Sequence, residues 1–204
     1  MTQRDPNFQE AMEITATWLK QWNDEEISDE VMADRAAELL ASRDGARGFF
    51  VVSLAGESAL MDRLPEALVA KLREAGDGVV DLTARNLAMS AAMVVHHRNN
   101  GDEAQAMASE RVNQRCTELL RQLDSHQVKE RLETLLEAAS HSRGDDLSFL
   151  ERWGYDNEQK NAIGEAVQAV AETGRFLNRP HQIWCELAIK KPRARCSGPG
   201  DGET

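Results

Sequence analysis

Four polar side chains on an otherwise apolar stretch in the middle of the chain are the first candidates for chemistry. They are Thr83, Asn86, Ser90 and His97, at offsets of three, four and seven residues. This spacing places them within about 60° of one another on a helix. A buried polar group without a partner costs about 1–3 kcal/mol, so these groups need hydrogen-bonding partners, water or a ligand. Two interpretations remain open: a seam between helices, or one wall of a ligand pocket with His97 as its titratable member.

Arg47 is the further residue that the sequence suggests for this pocket. It lies in the stretch GARGFFVVSLAGES, near a predicted helix start. A single arginine beside glycines is weak evidence for phosphate binding, because a phosphate cradle needs several convergent backbone N–H groups. The motifs GxGxxG, GxxxxGKS/T, GxSxG and HExxH are absent from the sequence. We therefore predict no catalytic residues, and in the pocket interpretation the lining residues are Arg47, Thr83, Asn86, Ser90 and His97.

A stripe of histidines and glutamates further along the chain raises the question of a metal site. Its members are His126, Glu130, Glu133, Glu137 and His141. Along a helix the stripe spans about 22 Å, so one ion could contact only neighbouring pairs. It also lies opposite the leucine side of the same segment, which marks it as the solvent face. We predict no metal site and no cofactor.

The three cysteines indicate neither a disulfide framework nor a nucleophile. Cys116 lies on an apolar helical face, Cys185 has no nearby base, and Cys196 is in the C-terminal tail. Their number and spacing match no CxxC metal site. A reducing cytosol is the simplest compartment for such a chain.

Charge is distributed unevenly along the chain. The whole sequence has 35 acidic and 24 basic residues, a net charge of -11, which repels nucleic acid and anionic membrane surfaces. Residues 1–40 have ten acidic and three basic residues, a net charge of -7. The C-terminal tail is the reverse, with Lys190, Lys191, Arg193 and Arg195 within six residues. The two ends could bind oppositely charged surfaces, and any contact with nucleic acid is expected only through the tail.

Two tryptophans near the N-terminus extend the hypothesis of a partner. Trp18 and Trp22 lie on the apolar stripe of the first predicted helix, beside acidic residues. Core packing is the common use of such a stripe. If the rings are not fully buried, they would form a binding hot spot, because large aromatic residues dominate interface energetics.

Capping residues predict where helices begin. Asp5, Ser28, Asp102, Ser125 and Asp156 each precede a segment of helical periodicity. The segment 44–61 is ambiguous, because its FFVV run has the composition of a strand but no partner strand flanks it. We predict a buried helix there. The segment 183–189 could be a short edge strand or a docking segment.

These elements predict an all-α fold. The 204 residues are 41% hydrophobic, enough for a core, and apolar residues recur at intervals of three and four. We expect a compact bundle of six to eight helices around a central apolar helix at 79–98, all within one domain at 1–186. Residues 187–204 are predicted to be a flexible, disordered basic tail.

The first functional hypothesis is a cytosolic helical interaction or assembly protein, adaptor-like or chaperone-like. Amphipathic surfaces and segregated charge, without an assembled catalytic set, favour a protein partner or a homo-oligomer. The alternative is a small helical enzyme or ligand sensor with a pocket lined by Asn86, Ser90 and His97. A third hypothesis is a regulator that contacts nucleic acid through the tail. No membrane association is expected, because the uninterrupted apolar runs fall far short of the roughly 20 residues that span a bilayer.

Overall fold

The computed structural model describes residues 4–141 and 143–173, and within these ranges the chain is all-helical. Eight helices have nine residues or more and two are short, which agrees with the predicted all-α bundle. The predictions for 183–189 and for the tail at 187–204 lie outside the described residues. The ten helices are α1 (Phe8–Asn23), α2 (Asp29–Leu40), α3 (Arg43–Ala55), α4 (Leu60–Arg63), α5 (Glu66–Glu74), α6 (Asp77–Asn99), α7 (Glu103–Gln122), α8 (Ser125–His141), α9 (Leu147–Trp153) and α10 (Asn157–Thr173).

The central position of α6 confirms the prediction for 79–98. This helix packs against α7, α8 and α10, and it buries Val79, Val80 and Leu87 among its apolar side chains. By length and composition alone, α6 could also cross a membrane. Half of its most apolar window is buried inside the bundle, as is typical of a core helix.

The FFVV segment is a buried helix, as predicted. Phe49 and Phe50 of α3 are fully buried, and α3 packs against α1, α2 and α7. Where α1 and α3 cross, Gly48 approaches α1 so closely that a Cβ atom placed on it would lie 2.6 Å from the Cβ of Ala11. The segment therefore needs no partner strand, because the flanking helices cover Phe49 and Phe50, while Val51 on the outer side is 41% exposed.

Three of the predicted caps are confirmed. The Ser28 hydroxyl accepts a hydrogen bond from the N–H of Val31 (3.3 Å), and the Asp102 carboxylate accepts one from Gln105 (3.1 Å). Asp156 and Gln159 bond each other's backbone N–H reciprocally. These contacts satisfy N–H groups that have no partner within the helix.

The predicted caps at Asp5 and Ser125 are wrong by one or two residues. Asn7 caps α1: its side-chain oxygen accepts from the Glu10 N–H, and the Glu10 carboxylate accepts from the Asn7 N–H, which completes a capping box. Asp124 precedes α8, and one of its carboxylate oxygens accepts from two successive N–H groups at 3.0 Å each. In both cases the residue with the larger number of hydrogen bonds sets the helix start.

The turn after α1 allows a stability prediction. Glu25 has a positive φ of 59°, and its N–H and that of Glu26 bond back to the last turn of α1. Glycine adopts this conformation without the penalty of a Cβ atom. We expect Glu25→Gly to raise the free energy of unfolding by about 1 kcal/mol and the Tm by about 3 °C. Glu26→Gly removes the same charge at the next position, where φ is not positive, and thermal unfolding should show no such gain; equal gains would mean that charge, not backbone strain, is responsible.

Candidate functional site

The polar stripe on α6 is satisfied by hydrogen bonds inside the bundle. Thr83 and Asn86 each donate to the backbone carbonyl four residues earlier, at 2.7 and 2.8 Å. Ser90 donates to the carbonyl of Leu87 (3.0 Å) and accepts from the side-chain amide of Asn113 on α7 (3.3 Å). Thr83 and Ser90 are buried. The Ser90–Asn113 bond joins two helices, whereas the bonds of Thr83 and Asn86 stay within α6. The pocket interpretation stays a prediction.

The structure does not bring the five predicted pocket residues together. His97 is half-buried near the C-terminal end of α6, with its ring 5.5 Å from that of His96. Arg47 is on α3, where it pairs with Asp44 (3.3 Å) and lies 4.8 Å from the ring of Phe8. The expectation that Arg47 would join the α6 stripe is therefore wrong, because α3 positions it against the start of α1.

A cavity of about 390 Å³ lies elsewhere, between the α4–α5 segment and the C-terminal half of α7. None of the five predicted pocket residues lines it. Its lining residues are Asp62, Arg63, Leu64, Glu66, Val69, Arg73, Glu118 and Gln122.

Beside this cavity, Arg115 of α7 forms a buried polar centre that the sequence analysis missed. Its side chain is 3% exposed, and its guanidinium donates to both carboxylate oxygens of Asp62, at 2.7 and 2.6 Å. The hydrogen bond from Arg115 lowers the pKa of Asp62. The same guanidinium also donates to the backbone carbonyls of Ser53 (3.4 Å), Leu54 (2.7 Å), Gly56 (2.8 Å) and Ser58 (3.0 Å).

Arg115 thus holds the chain segment from the end of α3 through α4. One signal in the sequence could have found it: it lies between Val112 and Leu119 on the apolar side of α7. A charged residue on an apolar helical face needs a buried partner. Identifying that partner as Asp62 requires the fold, because 53 residues separate the two.

A second charged network joins α6, α8 and the start of α9. Asp81 and Arg85 form an ion pair one turn apart on α6 (3.0 Å), and Asp81 also accepts from Arg131 of α8 (2.7 Å). Arg131 also binds Asp146, whose side chain is 4% exposed. Asp81 and Arg85 therefore belong to a network that connects α6, α8 and the start of α9.

Neither the histidine–glutamate stripe nor Cys116 has an environment that favours metal binding or nucleophilic chemistry. His126 and Glu130 are exposed, with 3.5 Å between imidazole and carboxylate. In the described ranges, 4–141 and 143–173, no group of three or more His, Cys, Asp or Glu side chains is placed to hold a metal ion.

Cys116 is fully buried, and burial raises the pKa of its thiol, which disfavours the nucleophilic thiolate. Cys185 and Cys196 lie outside the described residues.

The two N-terminal tryptophans have different environments. Trp22 is 6% exposed, its indole N–H donates to Asp29 (2.7 Å), and the guanidinium of Arg63 covers its ring at 4.8 Å. The expectation that Trp22 would be part of a surface hot spot is therefore wrong. Trp18 is only half-buried, and Arg35 of α2 lies 5.6 Å from its ring centroid.

An exposed surface surrounds Trp18 and is rich in carboxylates. Val31 is 41% exposed, Ile27 is half-buried, and both lie on the α2 side of this surface. We call it the acidic face: Trp18, Ile27 and Val31 with the exposed carboxylates Glu25, Glu26, Glu30, Asp34 and Glu38. The other residues predicted to bind a partner, Lys190, Lys191, Arg193 and Arg195, lie outside the described residues.

A family model with the description "Uncharacterised conserved protein UCP020893" matches residues 7–170. The chain belongs to this family. The match begins at the Asn7 cap of α1 and ends within α10, so the family's matched region contains the acidic face, the Arg115 centre and the α6–α7 seam. No curated protein and no solved structure matches the chain.

Proposed function

We propose that this protein is a cytosolic helical interaction protein, adaptor-like or chaperone-like, that binds a basic protein partner through its acidic face. The observation that carries the proposal is the exposure of apolar side chains within a strongly negative surface. Val31 is 41% exposed and Trp18 is half-buried, and both lie among carboxylates of α2 and the α1–α2 turn. Large apolar groups at the centre of a charged rim are typical of protein interfaces.

One contact links the two helices at this surface. The Arg35 guanidinium lies over the Trp18 ring, and Arg35 follows Val31 by one turn of α2, while Ile27 lies in the α1–α2 turn. In this proposal Trp18, Val31 and Ile27 are the apolar anchors of one strip across α1 and α2. The strip has the form of a site for an amphipathic helix, which binds through apolar anchors at intervals of three and four.

The charge of the surface favours a basic partner. Between residues 4 and 40 the net charge is -7, and the basic residues there are already engaged: Arg4 with Glu10, Lys20 with Asp24, and Arg35 with Trp18. Within α2, Asp34 pairs with Lys71 of α5 (3.2 Å) and Asp29 accepts from Trp22, so the attraction for lysine and arginine side chains depends on Glu30 and Glu38. Such attraction accelerates association and weakens as salt is added.

The alternative, a small helical enzyme or ligand sensor at Asn86, Ser90 and His97, has less support. Asn86 and Ser90 already have hydrogen-bond partners within α6 and α7. A ligand at this position would have to replace those bonds.

The test measures binding of a synthetic amphipathic helix of lysine and leucine to the full chain by titration calorimetry. We expect saturable binding that weakens steeply as salt rises from about 0.05 to 0.5 M. A glutamate–leucine helix should not bind. Trp18→Ala and the double variant Glu30→Lys/Glu38→Lys should each weaken binding at least about tenfold.

Trp153→Ala is the matched control, because Trp153 of α9 is 55% exposed and lies outside the acidic face. It should leave binding unchanged. The proposal is wrong if Trp18→Ala binds like the wild type, or if both tryptophan variants lose affinity equally. As a second measurement, native mass spectrometry of the full chain from its own source should show a bound basic protein that the double variant Glu30→Lys/Glu38→Lys fails to retain.

A further inference from the structure

The cavity beside α7 contains two arginines that lack carboxylate partners among the described residues. Arg63 lines the cavity and lies with its guanidinium carbon 4.8 Å from the centroid of the Trp22 ring. Arg73 uses its Nε–H for the backbone carbonyl of Gln122 (2.5 Å), and its two terminal nitrogens remain. Two guanidinium groups in one cavity provide donors in the planar arrangement that suits a carboxylate or a phosphate.

Two of the three carboxylates that line the cavity pair with arginines that do not line it. Asp62 is held by Arg115, and Glu118 pairs with Arg121 (2.5 Å). Glu66 is the remaining acidic residue of the lining. The lining alone has three carboxylates and two guanidinium groups, and with Arg115 and Arg121 counted the charges are four positive and three negative.

Strained backbone lies in the wall of this cavity. Leu64 has φ 42° and ψ 67°, the left-handed region that is unfavourable for a bulky residue. Such outliers concentrate at sites of function, where the surrounding structure maintains them. Here the conformation places half-buried Leu64 in the cavity lining together with buried Val69, which gives the cavity an apolar portion.

We propose that this cavity binds a small organic carboxylate with an apolar body. The carboxylate bonds to Arg63 and Arg73, and the apolar part contacts Leu64 and Val69. The volume of about 390 Å³ is within the range of small-molecule sites. This site is separate from the acidic face, so it neither requires nor excludes the proposed protein partner.

The test titrates the full chain with 4-methylpentanoate, with its uncharged amide, and with inorganic phosphate, by NMR or calorimetry. We expect the carboxylate to bind, and the amide and phosphate each to bind at least about tenfold more weakly. Arg63→Gln and Arg73→Gln should each weaken carboxylate binding by about tenfold or more. Glu66→Gln should tighten carboxylate binding several-fold. Partial unfolding of a variant would only weaken binding, so this gain distinguishes an effect of charge from a loss of structure.

Arg47→Gln is the control, because Arg47 also lies 4.8 Å from an aromatic ring but is outside the cavity. It should leave the affinity unchanged. The proposal is overturned if the carboxylate does not bind, if phosphate binds as tightly, or if Arg47→Gln matches the effect of Arg63→Gln. These outcomes are independent of the lysine–leucine helix test of the acidic face.

Discussion

Arg115→Leu is expected to lower the free energy of unfolding by about 3 kcal/mol or more, because it removes a buried guanidinium from one half-exposed carboxylate and several backbone carbonyls. The five N–H groups of the guanidinium contact six acceptors, two oxygens of Asp62 and four backbone carbonyls between Ser53 and Ser58, so one N–H is shared, with Ser53 the most distant acceptor at 3.4 Å. Leucine has no donor for any of these acceptors. Carbonyls left buried without a donor pay the full desolvation penalty.

Arg111→Leu is the matched control for this prediction. Arg111 is one turn earlier on the same helix and also makes a two-pronged pair, but its partner Glu57 is 86% exposed. Pairs of this kind contribute at most about 1 kcal/mol. Urea unfolding followed by circular dichroism should show a much lower midpoint for Arg115→Leu, with a Tm loss of about 10 °C, and a small change for Arg111→Leu. Equal losses for the two variants would mean that the buried centre does not hold the fold.

The helical periodicity of the sequence was sufficient to predict the architecture. Each helix that buries one apolar side shows that side at intervals of three and four, and α6 was recognisable because it is apolar over most of its circumference. The FFVV segment was predicted as a helix despite its strand-like composition, since no strand partner was present. The short helix α4 was missed, because four residues are too few to show a period.

Tertiary contacts were the part that periodicity did not reveal. Arg47 was assigned to the α6 stripe by residue type, although its helix packs on α1. The partners of Arg115 and Arg131 are 50 or more residues distant in the chain, apart from Asp146. Helix-to-helix pairing of this kind depends on which faces meet, and one sequence does not determine that.

Trp22 illustrates the same limit within a single stripe. It and Trp18 are one turn apart and looked equivalent in the sequence, yet only Trp22 has Arg63 over its ring and Asp29 at its indole N–H. Both of those partners come from outside α1. The difference between buried Trp22 and half-buried Trp18 therefore depends on neighbours that the period of α1 does not encode.

Gly48→Ala is expected to destabilise the protein by about 2–3 kcal/mol, although alanine has a higher helix propensity than glycine. In the interior of an exposed helix, replacing glycine by alanine is favourable by about 1 kcal/mol. At Gly48 the new Cβ would lie 2.6 Å from the Cβ of Ala11 and 3.0 Å from two backbone atoms of α1. Backbone atoms cannot rotate away, so α1 and α3 would have to separate and loosen the packing around buried Phe49.

Gly78→Ala shows the effect of propensity without the clash, because a Cβ at Gly78 meets nothing within 4 Å and the residue lies in the first turn of α6. It should raise the free energy of unfolding by about 0.5–1 kcal/mol. Chemical unfolding of the two variants should therefore shift in opposite directions from the wild type. If Gly48→Ala is neutral or stabilising, the close approach of α1 and α3 does not exist in solution, and the acidic face that α1 and α2 form together would need another geometry.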